Sequence, residues 1–285
     1  MLTRGIGIGR EIAFRRVGEG TGLALDLDEL DLSTTEPRFE QMAVVNREDF
    51  KVVAGYRFKR GVTYTAQFYE RLPKELFEVP TLELSRAWVI PELQNGMMIS
   101  SLWSGIGKVL SLNPDIDQMI GIASMSAKDY SEEIRQLTTY FLLHGPYRLE
   151  SAQESKVIHS PSFSAFSESE MKEILKDVKD IEDFEKLIRH WPSRKVDLSQ
   201  VGIINDHEPH GYTEGKSLPP LISGYIKMGA KFFGASIDPG FQDSLDFGLL
   251  IRLRDMPGPY LKRFVGIEAY ERVRAHQESN LEPSD

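Results

Sequence analysis

The amino-acid sequence predicts an α/β (α+β) protein built on a mixed β-sheet. Three observations carry this expectation. Apolar runs rich in β-branched residues interleave with stretches of helical spacing. Between residues 82 and 143 the order is strand, helix, strand, helix, as when helices cover a sheet. The 285 residues are 41% hydrophobic and 27% charged, ordinary proportions for a globular chain and enough for one large core.

Taken in order, residues 4–17 pattern as a helix with Ile8, Ile12 and Phe14 near one face. Glycines 5, 7 and 9 follow no strand, so they read as helix-entry flexibility and not as a phosphate loop. The loop GEGTG (18–22) leads into the acidic LDLDELDL (25–32). MAVV (42–45) and FKVVAGYRF (50–58) read as strands either side of the turn NRED (46–49). VTYTAQFYE (62–70) is of mixed character, and LELSRAWVI (82–90) is a strand. A helix opens near Met97, with Ile99, Leu102, Trp103, Ile106 and Leu110 on its apolar stripe. IGIAS (120–124) is a buried strand, and Ser131 caps a helix over 131–143 with Glu132 and Glu133 in its first turn. Residues 168–191 are strongly amphipathic, 204–217 are loop-like, 218–234 pattern as a helix and 244–255 as a strand. The layout expected is one domain over 1–285, with a helical insertion at about 144–200 and a frayed polar tail at 276–285.

Net charge is −9, so no global basic field favours nucleic acid. The absence of cysteine excludes disulfides, thiolate metal sites and a cysteine acyl-enzyme. The start, MLTRGIGIGREIAFRR, has charge within ten residues and no apolar core, so no signal peptide is expected. No run approaches the ~18 apolar residues of a membrane span. A cytoplasmic location is expected, with contact at the inner face of the membrane left open.

Charged residues that interrupt apolar strands are the candidates for chemistry. Glu83 and Arg86 lie inside LELSRAWV, where ideal geometry puts them on opposite faces and a bulge would bring them together. Alone, they read as a structural ion pair. Asp28 and Asp31 alone read as a solvated turn or as helix caps. His207 and His210 lack the helical spacing of a zinc pair, so no metal is expected.

The ordered set is more specific than its members. Arg10-x3-Phe14, Asp28-x2-Asp31, Gly55-Tyr-Arg57 and Glu83-x2-Arg86 occur in that order. This set resembles that of the acyl-homoserine lactone synthases. REIAFRRVGEGTG, LDLDELDL, VVAGYRF, LELSRAWV, SLWSGIGKVL, PPLISGYIKMGAKFFGASID and DFGLLIRL resemble still more closely the hemolysin-like or ornithine/glycine-lipid N-acyltransferase branch of the same GNAT-related group. The similarity runs from about residue 5 to 265 and thins through 144–200. It implies a GNAT-like, splayed central sheet. It implies an enzyme that moves a (3-hydroxy) fatty acyl group from an acyl-carrier-protein thioester to a small amine such as an amino acid, in bacterial aminolipid synthesis, with no permanently bound cofactor.

For that reaction a protonated amine must lose a proton, and Glu83 is the candidate base with Arg86 beside it. Burial raises such a carboxyl's pKa and the neighbouring arginine lowers it; the sequence leaves the balance open. Backbone N–H groups beside Trp88 and Val89 are candidates for the thioester oxyanion. Arg57 and Arg10 hold either the acceptor carboxylate or the acidic segment with Asp28 and Asp31, the latter being favoured for Arg10. Phe14 belongs to the same acceptor-ordering cluster.

The stretch after the central strand, PELQNGMMISS, has one glycine and no arginine, which suits a carrier-protein phosphopantetheine better than coenzyme A. Lys59, Arg60 and Lys108 are candidate docking residues for an acidic carrier. Met97, Met98, Ile99, Trp103 and Met125 flank a candidate acyl pocket, with core packing an equal reading. Lys227 and Lys231 suggest either a membrane-surface helix or a buried amphipathic one. Two alternatives stand: an acyl-homoserine-lactone-type signal synthase, and a non-catalytic acyl- or carrier-binding module. Phospholipid O-acylation needs a His-x4-Asp motif, which none of the six histidines supplies.

Overall fold

The structure, a computed structural model, describes residues 2–94, 96–191 and 218–279. Helix α1 (Leu2–Arg16) and a single turn, α2 (Glu29–Leu32), precede strands β1 (Glu40–Val45), β2 (Val52–Arg60) and the short β3 (Tyr69–Arg71). Then follow β4 (Thr81–Val89), α3 (Gly96–Leu112), β5 (Gln118–Met125), α4 (Glu132–His144), β6 (Lys156–Val157), α5 (Glu168–Leu175) and α6 (Ile181–Arg189). The last part holds α7 (Pro220–Lys227), β7 (Lys231–Asp238), β8 (Ser244–Arg252), α8 (Gly258–Tyr260) and α9 (Ile267–Ser279).

Six strands form one sheet in the order β1-β2-β4-β5-β8-β7. Only β4 and β5 run parallel; the other neighbours are antiparallel. This is the mixed sheet flanked by helices that the sequence predicts. Alternation assigns its two faces. Met119, Leu249, Ile251 and Phe232 face the main core under α3, α4 and α7, whereas Ile120, Leu250 and Phe233 pack on the other face with Tyr69 and Leu76. Helix α1 lies over that second face, where Ile6 and Ala13 meet Trp88.

Several expectations need correction. The buried side of α1 carries Ile6, Gly9, Arg10 and Ala13, and Ile8 and Ile12 are exposed. Ion pairing at Arg10, taken up below, outweighs the two isoleucines in choosing the face. VTYTAQFYE is a 3-10 turn at Thr65–Phe68 followed by the three residues of β3. The helix read over 218–234 ends at Lys227, and KFFGASID is strand β7. Gly229, at φ +88, makes the switch in the left-handed region that favours glycine. The amphipathic stretch 168–191 is two capped helices, because Asp180 starts a second one by accepting from the Asp183 N–H at 3.0 Å. Helix α9 runs through Ser279, past the expected fraying point. The polar stretch 204–217, with His207 and His210, lies outside the described residues.

Candidate active site

A bulge opens the centre of the sheet. Gly55 pairs with Trp88 and Arg57 with Ser85, so two residues of β4, Arg86 and Ala87, stand opposite one of β2. Arg86 sits at φ +53, a left-handed backbone that is costly for a side-chain-bearing residue. Beyond this point β4 diverges from β5. Their pairing covers only Thr81↔Gln118 to Leu84↔Gly121, although β4 continues to Val89 and β5 to Met125. Gly121 closes the last rung, and a Cβ there would lie 2.7 Å from the Leu84 carbonyl oxygen.

A cavity of about 670 Å³ occupies the opening. Its walls come from both sheet faces. Leu84, Trp103 and Tyr225 belong to the main core, while Ser85, Arg86, Ser124 and Asp246 stand on the α1 side. The cavity therefore has an apolar end and a polar end joined through the splayed strands.

At the polar end, Tyr64 separates two arginines. Its ring centroid lies 4.6 Å from the guanidinium carbon of Arg57 and 5.5 Å from that of Arg86. Burial pushes its phenol up to about 12. Arg86 stacks 3.9 Å over Phe241 and donates through Nη1 to Asp26 at 3.3 Å. Phe14 meets Phe241 edge-on at 5.5 Å. Burial raises the Asp26 carboxyl, against the pull of Arg86, Arg10 and Arg57.

Of the residues singled out by sequence for the site, Phe14, Arg86, Trp88, Val89, Ile99 and Trp103 line the cavity. The ring of Trp88 is packed between Gly9 and Gly55, at both of which a Cβ would overlap it. The bulge places Glu83 and Arg86 on one face, yet among the described residues they form no ion pair. Glu83 is fully buried and accepts three backbone N–H groups, from Thr63 (2.6 Å), Tyr64 (3.0 Å) and Thr65 (2.6 Å). It does not line the cavity, and both of its oxygens anchor the loop that carries Tyr64.

Arg10, Asp28, Asp31 and Arg57 also lie outside the cavity wall and form a lattice around two fully buried arginines, with Asp28 half-buried at its edge. Arg10 donates to Asp31 at 2.8 Å and to Gln41 at 3.0 Å; Arg57 donates to Asp28 at 2.7 Å and to Ser85 at 2.7 Å. Burial works against the Asp31 charge, but Arg10 and Arg57 outweigh it and hold this carboxyl well below the usual range. Asp28 caps α2 in a reciprocal box with Asp31. The lattice ties the acidic segment to β1 and β2, behind the residues that line the cavity.

The methionines are corrected too. Met97 is 78% exposed, Met125 is fully buried in the core, and Met98 packs against that core without lining the cavity. Lys59 is paired with Glu36 and Arg60 with Asp115, so neither presents a bare charge; Lys108 is exposed. Helix α7 buries Ile222, Tyr225 and Ile226 in the core, with Tyr225 hydrogen-bonded to Tyr56, and Lys231 donates to the Pro146 carbonyl at 2.8 Å. That is the buried amphipathic helix, not the membrane-surface one. Among the described residues no helix is long and apolar enough to cross a membrane.

Sequence reasoning missed Glu19, Ser124, Asp238 and Asp246, all of which line the cavity. Asp246 did carry a signal, as a lone acid inside SLDFGLLIR. Asp238 carried none, because the start of its strand, residues 231–234, read as the end of a helix, and Glu19 was hidden between glycines.

Residues 10–104 match the family model described as an acetyltransferase (GNAT) domain. Over 96% of this chain and 82% of the relative's length, the sequence is 29% identical to a glycine N(alpha)-acyltransferase of Phocaeicola vulgatus. It is 26% identical to a glycine N(alpha)-acyltransferase of Bacteroides thetaiotaomicron, over 90% of this chain and 74% of that one. A solved CoA-dependent acyl-homoserine lactone synthase overlaps 99% of this chain and 89% of its own at 13% identity, with a TM-score of 0.36, too distant to bear on mechanism. The six-stranded sheet flanked by helices is GNAT-like and residues 10–104 match the GNAT acetyltransferase model, so the chain reads as an acyltransferase.

Proposed function

We propose that the protein transfers a fatty acyl group from the phosphopantetheine thioester of an acyl carrier protein to the amine of a small amino acid, with glycine the first candidate, as a step in aminolipid synthesis. One observation carries this reading: the cavity passes through the splayed strands and joins an apolar end to a polar one. An acyl chain fits against Trp103, Leu102 and Tyr225, and the thioester carbon then lies between β4 and β5. Trp88 and Val89 stay paired to β2, and Ile122–Ser124 to β8, on their outer edges but not to each other, so backbone groups that point into the splay are available to pantetheine amides and to the oxyanion. The acceptor enters from the side of Phe14 and Arg86. The names of the two curated relatives support an N-acyl product and glycine as acceptor. The single glycine after β4 supports a carrier over coenzyme A, since a pyrophosphate needs more open backbone N–H groups.

The test is release of free thiol from acyl carrier protein by purified enzyme with a panel of amino acids, and mass spectrometry of the product. Amine-dependent release is expected, with kcat/KM for the carrier donor at least about tenfold above that for acyl coenzyme A, a difference of ~1.4 kcal/mol in transition-state binding. Failure to form an N-acyl product with any amine refutes the reading. Equal use of the two donors refutes the carrier preference alone.

A further inference from the structure

Three buried acids gather at the polar end of the cavity. Glu19, Asp238 and Asp246 are 6%, 8% and 5% exposed. Glu19 lies in the loop after α1, which Glu11 fixes by accepting from the Thr21 N–H at 3.1 Å and the Gly22 N–H at 3.0 Å. Asp246 is central in β8, in register with Ser124 of β5 and Ser236 of β7, so the three share one face. Ser124 donates to Glu19 at 2.7 Å and thereby ties it to the strand bordering the opening. Asp238 accepts from the Gly240 N–H at 2.8 Å, and Asp246 from the Ser244 hydroxyl at 2.9 Å. Among the described residues none of the three acids is ion-paired, and no three such groups converge as metal ligands.

The cavity also holds Arg86, whose side chain is only 10% exposed and is balanced by one bond to Asp26. Its Nε is buried and has no hydrogen-bond partner. A buried donor without a partner, in a cavity whose buried acids have no salt partner, is costly in an empty site. Both deficits vanish when a molecule with a carboxylate at one end and an ammonium at the other occupies it.

We propose that this end of the cavity is an acceptor subsite for a small zwitterionic α-amino acid: Arg86 takes the carboxylate, Glu19, Asp238 and Asp246 surround the ammonium, and Glu19 accepts its proton. The assignment rests on the acyl-transfer reading above. Burial, with the charges of Asp129 and Asp238 adding to it, pushes the Glu19 carboxyl up to about 7, against the Ser124 hydrogen bond. The other charged and titratable groups facing this loop are Asp246, Tyr130, Lys128 beside Gly18, and Arg86 across the acids. A group near 7 is well matched to taking a proton at neutral pH. The ammonium gives one proton to Glu19. The freed nitrogen lone pair forms the C–N bond with the thioester carbon. The C–S bond then breaks, and the departing thiolate takes the second nitrogen proton to leave as free thiol. Glu19 finally returns its proton to solvent.

The test is steady-state N-acylation of glycine from acyl carrier protein between pH 6 and 9, with thermal melts, for wild type, Glu19→Gln and Ser124→Ala. Glu19→Gln should lower kcat by about 10²-fold or more, leave the donor KM within about twofold, and abolish the wild-type rise in rate near neutral pH. Ser124→Ala removes a bond that lowers the Glu19 carboxyl, so that rise should move to higher pH. A purely structural Glu19 would move neither profile. A folded Glu19→Gln enzyme with wild-type rate and profile overturns the assignment. If that variant does not fold, an unmoved Ser124→Ala profile overturns it instead. Equal acceptance of glycine and methylamine, which lacks the carboxylate, removes the Arg86 half. Wild-type enzyme that acylates no amine sinks the acyl-transfer reading itself; an active wild type with an indifferent Glu19→Gln sinks only the subsite.

Discussion

Glu83→Gln separates an anchoring carboxylate from a reactive one. The two oxygens of Glu83 receive three buried backbone N–H groups from Thr63, Tyr64 and Thr65. A glutamine keeps its oxygen on the Thr63 and Tyr64 N–H groups but turns an amide nitrogen toward that of Thr65. One buried donor is then unsatisfied, costing about 1–3 kcal/mol, and two charge-assisted bonds become neutral ones, costing about 0.5–1 kcal/mol each. The total is about 3 kcal/mol. In a chain this long it corresponds to a fall in Tm of about 6–12 °C. Differential scanning calorimetry measures the fall, and single-turnover acylation well below Tm measures the chemistry. The expected outcome is a clearly lower Tm with a rate within about an order of magnitude of wild type. A wild-type Tm together with a rate loss of 10³-fold or more would refute the anchoring argument and restore Glu83 as a reacting group.

Arg57→Ala leaves Asp28 and Asp31 without their shared buried cation and should cost about 3–5 kcal/mol in urea unfolding, far more than Arg60→Ala at an exposed pair. Asp31 has a depressed folded pKa, so its contribution is complete above the unfolded value of about 3.9 and is lost as pH falls from there through the folded value; urea midpoints between pH 6 and 2 should show a shallower acid loss in Asp31→Asn. Arg86→Lys removes the planar fork and should raise the acceptor KM about 10- to 100-fold with the donor KM unchanged. Gly107→Ala drives a Cβ into the Phe264 carbonyl oxygen at the α3 crossing, which should cost about 1–3 kcal/mol in a thermal melt. Glu19→Gln should raise Tm by several degrees at pH 8 and leave it unchanged near pH 4, because a carboxyl whose folded pKa exceeds its unfolded one loses stability as pH rises between the two.

The legible parts of this molecule were those where one periodicity ran uninterrupted. Strands β2, β4, β5 and β8, and helices α1, α3 and α4, follow from β-branched runs, helical spacing and the Ser131 cap. The α7–β7 boundary was hidden because KMGAKFFG continues an apolar pattern, and the backbone reversal at Gly229 shows only in three dimensions. At the site, ordered motifs led to the lattice of Arg10, Asp28, Asp31 and Arg57, whose pairings span up to 29 positions. The same motifs gave no hint that this lattice supports the cavity from outside. Glu19, Asp238 and Asp246 come from three distant segments, and what marks them is the absence of a salt partner. No local sequence pattern encodes a missing partner.

That contrast sorts the buried charge of the fold. Charges in the lattice are matched: Asp31 has two arginines, Asp28 has one, and Glu83 has three amides, so each stabilises the structure that buries it. The acids at the cavity are unmatched, and burial pushes the carboxyls of Glu19, Asp238 and Asp246 upward. Isolated buried carboxylates are costly enough that a chain selected for stability alone would replace or pair them. They stand here beside an arginine with an open Nε and a left-handed backbone, at the mouth of the splay between β4 and β5. Strain in the backbone and unbalanced charge thus fall at the same place, where a bound zwitterion would relieve the charge and the open strands would receive a thioester. The lattice beneath is matched instead: Arg57 ties Asp28 and Ser85 to β2 and stacks on Tyr64, so paired charge braces the wall against which the unbalanced charge sits.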